Sequence, residues 1–263
     1  MKRTRLIVSL LVLLVAAACS GGFEDGLAAY EAGNYEQALK VWRRLAEEGS
    51  AEAQFRLGVM YENGQGVEAS GTEALAWYRK AAEQGLTVAQ YNVGVLYHEG
   101  RGTMRDDAEA VNWYRRAAEQ GDVQAAYNLA LIHDLAEGTL QDPAEASKWY
   151  RMAAEQGHTK AQTNLGLLYD QGRGVEQDFA EAAAWYRRAA ERGNAMAQYN
   201  LGLMHEEGVG VEEDPVQAYL WLSVSASFGH YEALGERDRV AATMSPEQVA
   251  QAKQLANEWK PEP

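Results

Sequence analysis

Apolar and polar positions recur along this chain at fixed intervals. Ala74, Trp77, Tyr78, Ala81 and Ala82 fall at i, i+3, i+4, i+7 and i+8, which makes one apolar stripe on a helix. That helix is announced by Ser70, whose oxygen can accept from free first-turn amides, and Glu73 stands three places on in capping-box spacing. Gly85 ends it where a left-handed C-cap belongs. The whole arrangement repeats with a step of 36: Gly49, Gly85, Gly121, Gly157, Gly193 and Gly229 keep register, as do Ala38, Ala74, Ala110, Ala146, Ala182 and Ala218. Trp77, Trp113, Trp149, Trp185 and Trp221 share the step, whereas Trp42 is one place out. The N-cap series runs Asn34, Ser70, Asp106, Asp142, Asp178, Asp214, and its partner series Gln37, Glu73, Glu109, Glu145, Glu181, Gln217.

A second helix per unit is visible in Ala89 to Tyr97, where the mid-helix Gly94 costs about 1 kcal/mol relative to alanine. Gly58, Gly94, Gly166 and Gly202 hold this position, and Ala130 fills it in the remaining unit. A small residue is therefore required, so that a neighbouring helix or Trp ring approaches closely. Between the two helices lie Gly64-Gln65-Gly66, Gly100-Arg101-Gly102, Gly172-Arg173-Gly174 and Gly208-Val209-Gly210, suited to tight reversals with positive φ. A phosphate-binding reading is disfavoured, because the dinucleotide fingerprint needs a preceding strand and a third glycine.

The pattern Ala-Gln-x-x-Leu-Gly-x-x-Tyr, Gly-x-Gly-Val, then Asp-x-x-x-Ala-x-x-Trp-Tyr-x-x-Ala-Ala-Glu-x-Gly resembles the Sel1-like repeat, a relative of the tetratricopeptide repeat. The resemblance implies an all-α fold: a right-handed α/α superhelical solenoid of helix pairs, with five repeats over 50–230. Residues 23–49 resemble a tetratricopeptide half-repeat. In the third unit Leu135-Ala136-Glu137-Gly138 departs from the loop pattern. Residues 231–263 are expected to form a helical cap and a frayed tail, with Ser245 as N-cap, Pro246 at the first position and Val249, Ala252, Leu255, Ala256 and Trp259 as its apolar face.

The N-terminus is of another kind. Lys2, Arg3 and Arg5 precede an apolar run from Leu6 to Ala18 that is shorter than the about 20 residues a membrane span requires. It ends Ala16-Ala17-Ala18-Cys19, and this junction resembles that of a bacterial lipoprotein precursor, with Ala16 where Leu is common. The resemblance implies a signal peptide over 1–18, lipidation of Cys19, a tether over 19–22 and a location on the periplasmic face of the outer membrane; an ordinary signal peptide is the alternative. Lys and Arg number 24 against 38 Asp and Glu, a net charge of −14 that deepens if the basic leader is removed. Such a body repels nucleic acid and anionic lipid, so membrane contact is expected through the anchor alone.

Candidate chemistry is sparse. The five histidines, His98, His133, His158, His205 and His230, show no i, i+4 pair around a glutamate, and His133 and His205 stand where other units carry Tyr61, Tyr97 and Tyr169. Cys19 is the single cysteine, which excludes an intramolecular disulfide, a thiolate metal cluster and a Cys-x-x-Cys redox site. The recurrent carboxylates are accounted for by helix starts and ends. No catalytic residue, metal or cofactor is therefore expected.

The expected function is that of a non-catalytic scaffold or adaptor binding another envelope protein through the concave solenoid surface. The alternative is a cell-wall enzyme, β-lactamase-like or penicillin-binding, of the cysteine-rich Sel1-like type; its paired cysteines and a Ser-x-x-Lys nucleophile are missing here. Asn92, Asn128, Asn164 and Asn200 keep the 36 step on the first helices, with Val95, Leu131, Leu167 and Leu203 beside them. This row either hydrogen-bonds a bound peptide or ties adjacent repeats together, since an amide both donates and accepts.

Overall fold

The computed structural model describes residues 22–135 and 140–261. The expected signal segment, Cys19 and the departing loop residues 136–139 lie outside the described residues. Within them the chain is all helical: α1 (22–31), α2 (Tyr35–Glu47), α3 (Ala51–Asn63), α4 (Gly71–Glu83), α5 (Thr87–Glu99), α6 (Asp107–Glu119), α7 (Val123–Leu135), α8 (Pro143–Glu155), α9 (Thr159–Gln171), α10 (Phe179–Glu191), α11 (Ala195–Glu207), α12 (Pro215–Ser227), α13 (Ala233–Ala241) and α14 (Pro246–Glu258). The helices form two compact units that divide after Ala125, within α7. In the first, successive helices from α2 to α6 pack on one another; in the second, successive helices from α8 to α13 do the same, and α14 returns onto α12. Serial packing of this kind defines an all-α solenoid of helix pairs.

The second helix of each pair starts on the same device. Asn34, Ser70, Asp106, Asp142, Asp178 and Asp214 each accept from the backbone amide three residues on, so these caps form as the sequence predicts. The reciprocal half of the capping box forms at Ser245, where the Gln248 side chain accepts from the Ser245 amide. The carboxylates at the other N3 positions favour the positive helix end by charge alone.

The mid-helix glycines are explained by rings, although not by tryptophan. A Cβ on Gly58, Gly94 or Gly166 would stand 2.4, 2.7 or 2.8 Å from the ring of Tyr78, Tyr114 or Tyr186. The side chain pressed against the small position is thus the tyrosine after the Trp in these three repeats, and at Gly202 it is the aliphatic Leu222. The tryptophans form a second row, with Lys80, Arg116 and Arg188 stacked over Trp77, Trp113 and Trp185 at 3.8, 4.5 and 4.4 Å. The second glycine of each Gly-x-Gly admits the backbone of the preceding pair. Gly174 sits at φ +69, and a Cβ there would lie 2.2 Å from the Pro143 carbonyl carbon at the start of α8.

At the C-terminal end, Ala252 of α14 is fully buried and Trp259 meets Trp221 and Phe228 edge-on. This is the cap expected from Ser245-Pro246, and it covers the apolar face of α12.

Candidate functional site

The row picked out by the 36 step lies on the first helices α5, α7, α9 and α11. Asn92, Asn128, Asn164 and Asn200 are half-buried, and so are Val95, Leu131, Leu167 and Leu203. Each Asn precedes by three residues the apolar side chain that lies beside it on the same face. Asn128, Asn164 and Asn200 and their three leucines belong to the second unit; Asn92 and Val95 belong to the first.

The amides are not used alike. Asn92 donates to the Val88 carbonyl of its own helix at 3.0 Å. Asn164 donates to the Tyr150 hydroxyl at 3.0 Å, joining α9 to the preceding α8. Asn200 approaches the Tyr186 hydroxyl in the corresponding place. At Asn164 the row therefore ties adjacent repeats, and its apolar neighbour Leu167 is the side chain that remains half-buried beside it.

Behind the row lies a polar constellation that the sequence analysis did not identify. Tyr78 donates to Glu62 Oε2 at 2.6 Å, and Arg101 from the following loop donates to Glu62 Oε1 at 2.6 Å. The same figure recurs as Tyr150, Asp134 and Arg173: the tyrosine donates to Asp134 at 3.2 Å, and Arg173 is paired with the other carboxylate oxygen. Burial raises the pKa of both phenols, and for Tyr78 the Glu62 carboxylate raises it further, so both stay protonated donors. The signal was available, because Tyr78 and Tyr150, Glu62 and Asp134, and Arg101 and Arg173 each differ by twice the repeat step.

A second set of ties uses the aromatic slot near the end of the first helices. Arg43 donates to the Tyr61 hydroxyl at 2.9 Å, Arg151 to Tyr169, and Arg187 approaches His205 at 3.4 Å. His133 and His205 are buried in that slot, with Nδ1 on the carbonyls of Leu140 and Glu212. Burial, then the Arg187 charge, lower the His205 pKa against the pull of the Glu212 carbonyl. His158 serves otherwise: its Nδ1 accepts from the Ala161 amide at 3.1 Å and caps α9, a role the sequence analysis did not identify. Among the described residues no group of three or more His, Cys, Asp or Glu is placed to hold a metal ion.

The hollows on the surface are polar. One of about 430 Å3 is lined by Gln156, Gln162, Arg188 and Arg192, and another of about 570 Å3 by Tyr169, Glu176, Gln177 and Glu181. Neither gathers a nucleophile, a general base and an oxyanion donor.

Helix pairs of 36 residues, packed serially within each unit, define the class as a tetratricopeptide-like α/α solenoid. The Sel1 repeat matches residues 51–86, 87–122, 123–158, 159–194 and 195–230, and the chain belongs to the Sel1 repeat family. It is similar to a Sel1 repeat protein from Oxalobacter formigenes, at 34% identity and TM-score 0.76, over 90% of this chain and 100% of that one. It is also similar to c5321, described as a protective antigen present in uropathogenic Escherichia coli strains and displaying an SLR fold. That match has 37% identity and TM-score 0.71, over 86% of this chain. The chain spans about half, 48%, of the length of that antigen. No curated protein sequence matches the chain. Sel1 repeat proteins typically mediate protein–protein interaction and are generally non-catalytic scaffolds.

Proposed function

We propose that this protein is a lipid-anchored, non-catalytic adaptor of the bacterial envelope. In this reading Cys19 carries the lipid, and the first-helix face holds another envelope protein. The observation that carries the proposal is the repeated row of half-buried Asn and Val or Leu side chains on the first helices, in a family whose members mediate protein interaction. Val95, Leu131, Leu167 and Leu203 supply apolar contact, and Asn92, Asn128, Asn164 and Asn200 supply polar contact where an amide valence is left after the internal bonds. The E. coli relative's description as a protective antigen accords with an envelope location. The cell-wall enzyme alternative draws no support from the relatives, and Cys19 is the only cysteine in the chain.

The test is site-specific photocrosslinking in bacteria. A photoreactive side chain at Leu167 should trap a discrete partner, whereas one at exposed Ala184 on α10 should not. Equal trapping at both places would reject the first-helix face. The anchor is tested separately: Cys19→Ala should abolish fatty-acid labelling, and unchanged labelling would refute lipidation.

A further inference from the structure

The tyrosine, acid and arginine figure is complete in two places, and in the last repeat, where Leu222 stands in place of the tyrosine, only the acid and a cation pair. Arg101 serves Glu62, Arg173 serves Asp134, and in the last repeat Arg239 of α13 pairs with Glu206 at 2.8 Å. In the fourth repeat the corresponding residues are Tyr186, Asp170 and Val209. Val209 cannot donate; it packs against the apolar cluster that contains Tyr186 and Trp221. Arg239, the cation of the last repeat, is bonded to Glu206 and Glu236.

The consequences show in the neighbouring atoms. Tyr186 is 1% exposed, yet its hydroxyl has no hydrogen-bond partner in ordinary geometry among the described residues. A buried hydroxyl without a partner destabilises the fold, and neither Tyr78 nor Tyr150 bears that cost. Asn200 approaches the hydroxyl as a donor, and Asp170 acts on it through charge, so the phenol proton has no fixed acceptor. The Asp170 carboxyl is held above the ordinary range by burial and then by repulsion from Glu207, and among the described residues no basic side chain is paired with it. Asp170 and the buried hydroxyl thus present the surroundings that hold a guanidinium in repeats one and three, and among the described residues no arginine is paired with Asp170.

We propose that Asp170, Glu207 and Tyr186 form a receiving site for an arginine side chain of the protein partner. This rests on the adaptor reading above and names one chemical element of its ligand. The incoming guanidinium donates to Asp170 as Arg101 donates to Glu62, and its charge offsets the repulsion between Asp170 and Glu207. Asp170, once fixed, accepts from Tyr186 as Asp134 accepts from Tyr150. Arginine is favoured over lysine because both internal precedents, Arg101 and Arg173, are guanidinium groups reaching the carboxylate from a loop.

The experiment uses the full-length protein and N-acetyl-arginine amide as probe, with N-acetyl-lysine amide at equal ionic strength as control. The arginine probe should raise the melting temperature saturably in the millimolar range, and the lysine control should not. Val209→Arg restores the internal cation at a position where two other repeats carry one. It should raise the melting temperature without probe and abolish the response to it. Asp170→Asn should also abolish the response. The site is overturned if the probe has no effect, if both amides act equally, or if either variant responds as wild type does. Photocrosslinking at Leu167 separates the two proposals. A partner trapped equally by wild type and Val209→Arg leaves the adaptor reading standing and removes arginine from it, whereas loss of trapping in Val209→Arg alone supports both.

Discussion

The second helices of the repeats are built almost identically, whereas the first helices differ from one another at their starts and along their half-buried row. Every second helix from α2 to α12 opens on Asn, Ser or Asp bonded to the third amide of the helix. The first helices open on Ser50, on Leu86 with no side-chain cap, on Asp122, on His158 and on Asn194. The contrast teaches where the constraint lies. A second helix carries the tyrosine that must meet a glycine before it and a polar group behind it, so its rotation and ends are fixed by neighbours on both sides. A first helix needs the small residue and the buried aliphatic positions, such as Leu165 and Leu168. Its remaining face is free to vary, which is where an adaptor can adjust to a partner.

The largest test of this contrast attacks a contact between the two kinds of helix. Gly166→Leu drives a side chain into the Tyr186 ring, which a Cβ alone would approach to 2.8 Å. The expected loss is about 3 kcal/mol after the small gain in helix propensity, read as a lowered denaturant midpoint. A variant as stable as wild type would show that the glycine is not a packing requirement. Gly174→Ala is expected to cost about 2 kcal/mol, because alanine is strained at φ +69 and its Cβ meets the Pro143 backbone. Asp178→Ala removes the side-chain acceptor for two amides, of Ala180 and Glu181, at the start of α10. Its expected cost is about 1 kcal/mol by thermal melting. The same change at Thr159, which follows a first-helix cap, should stay within about 0.5 kcal/mol. If the two costs are equal, the Asp178 side chain does not stabilise the start of α10.

Most of the fold is legible in the sequence because each determinant is local and repeated. Caps lie three residues from the amides they serve, and the apolar stripe lies within one helix. The ring facing the glycine is less legible. Trp77 and Tyr78 both lie on the stripe, and only the angle at which α3 and α4 meet decides that Tyr78 faces Gly58. The polar figures are harder still, since Tyr78 and Glu62 are 16 residues apart and Glu62 and Arg101 are 39 apart. Such groups emerge only when loop positions are aligned across repeats. The Asn row was found by its step, but the direction of each amide depends on the neighbouring tyrosine: Asn164 meets Tyr150, while Asn92 turns to its own helix.

The smallest expected effect concerns the cap that distinguishes α9 from every second helix. His158 can accept from the Ala161 amide only while Nδ1 carries no proton. Burial, then the charge of Lys160, lower its pKa from the ordinary 6.5, so the fold favours the neutral ring. The unfolded chain therefore takes up a proton first as pH falls, and by linkage stability declines through the window from 6.5 down to the folded value, then levels. Its contribution is fully present above 6.5. His205 shifts in the same direction for the same leading reason, so wild type should lose melting temperature on acidification through both groups. His158→Asn supplies the cap that Asn194 already provides to α11, and an amide does not titrate in this range. That variant should melt close to wild type at neutral pH and lose less on acidification, with the remaining slope assignable to His205. Melting curves taken across the window decide the matter. A variant with an undiminished slope would mean that the His158 cap survives protonation, and the starts of first and second helices would then differ in residue type without differing in their response to pH.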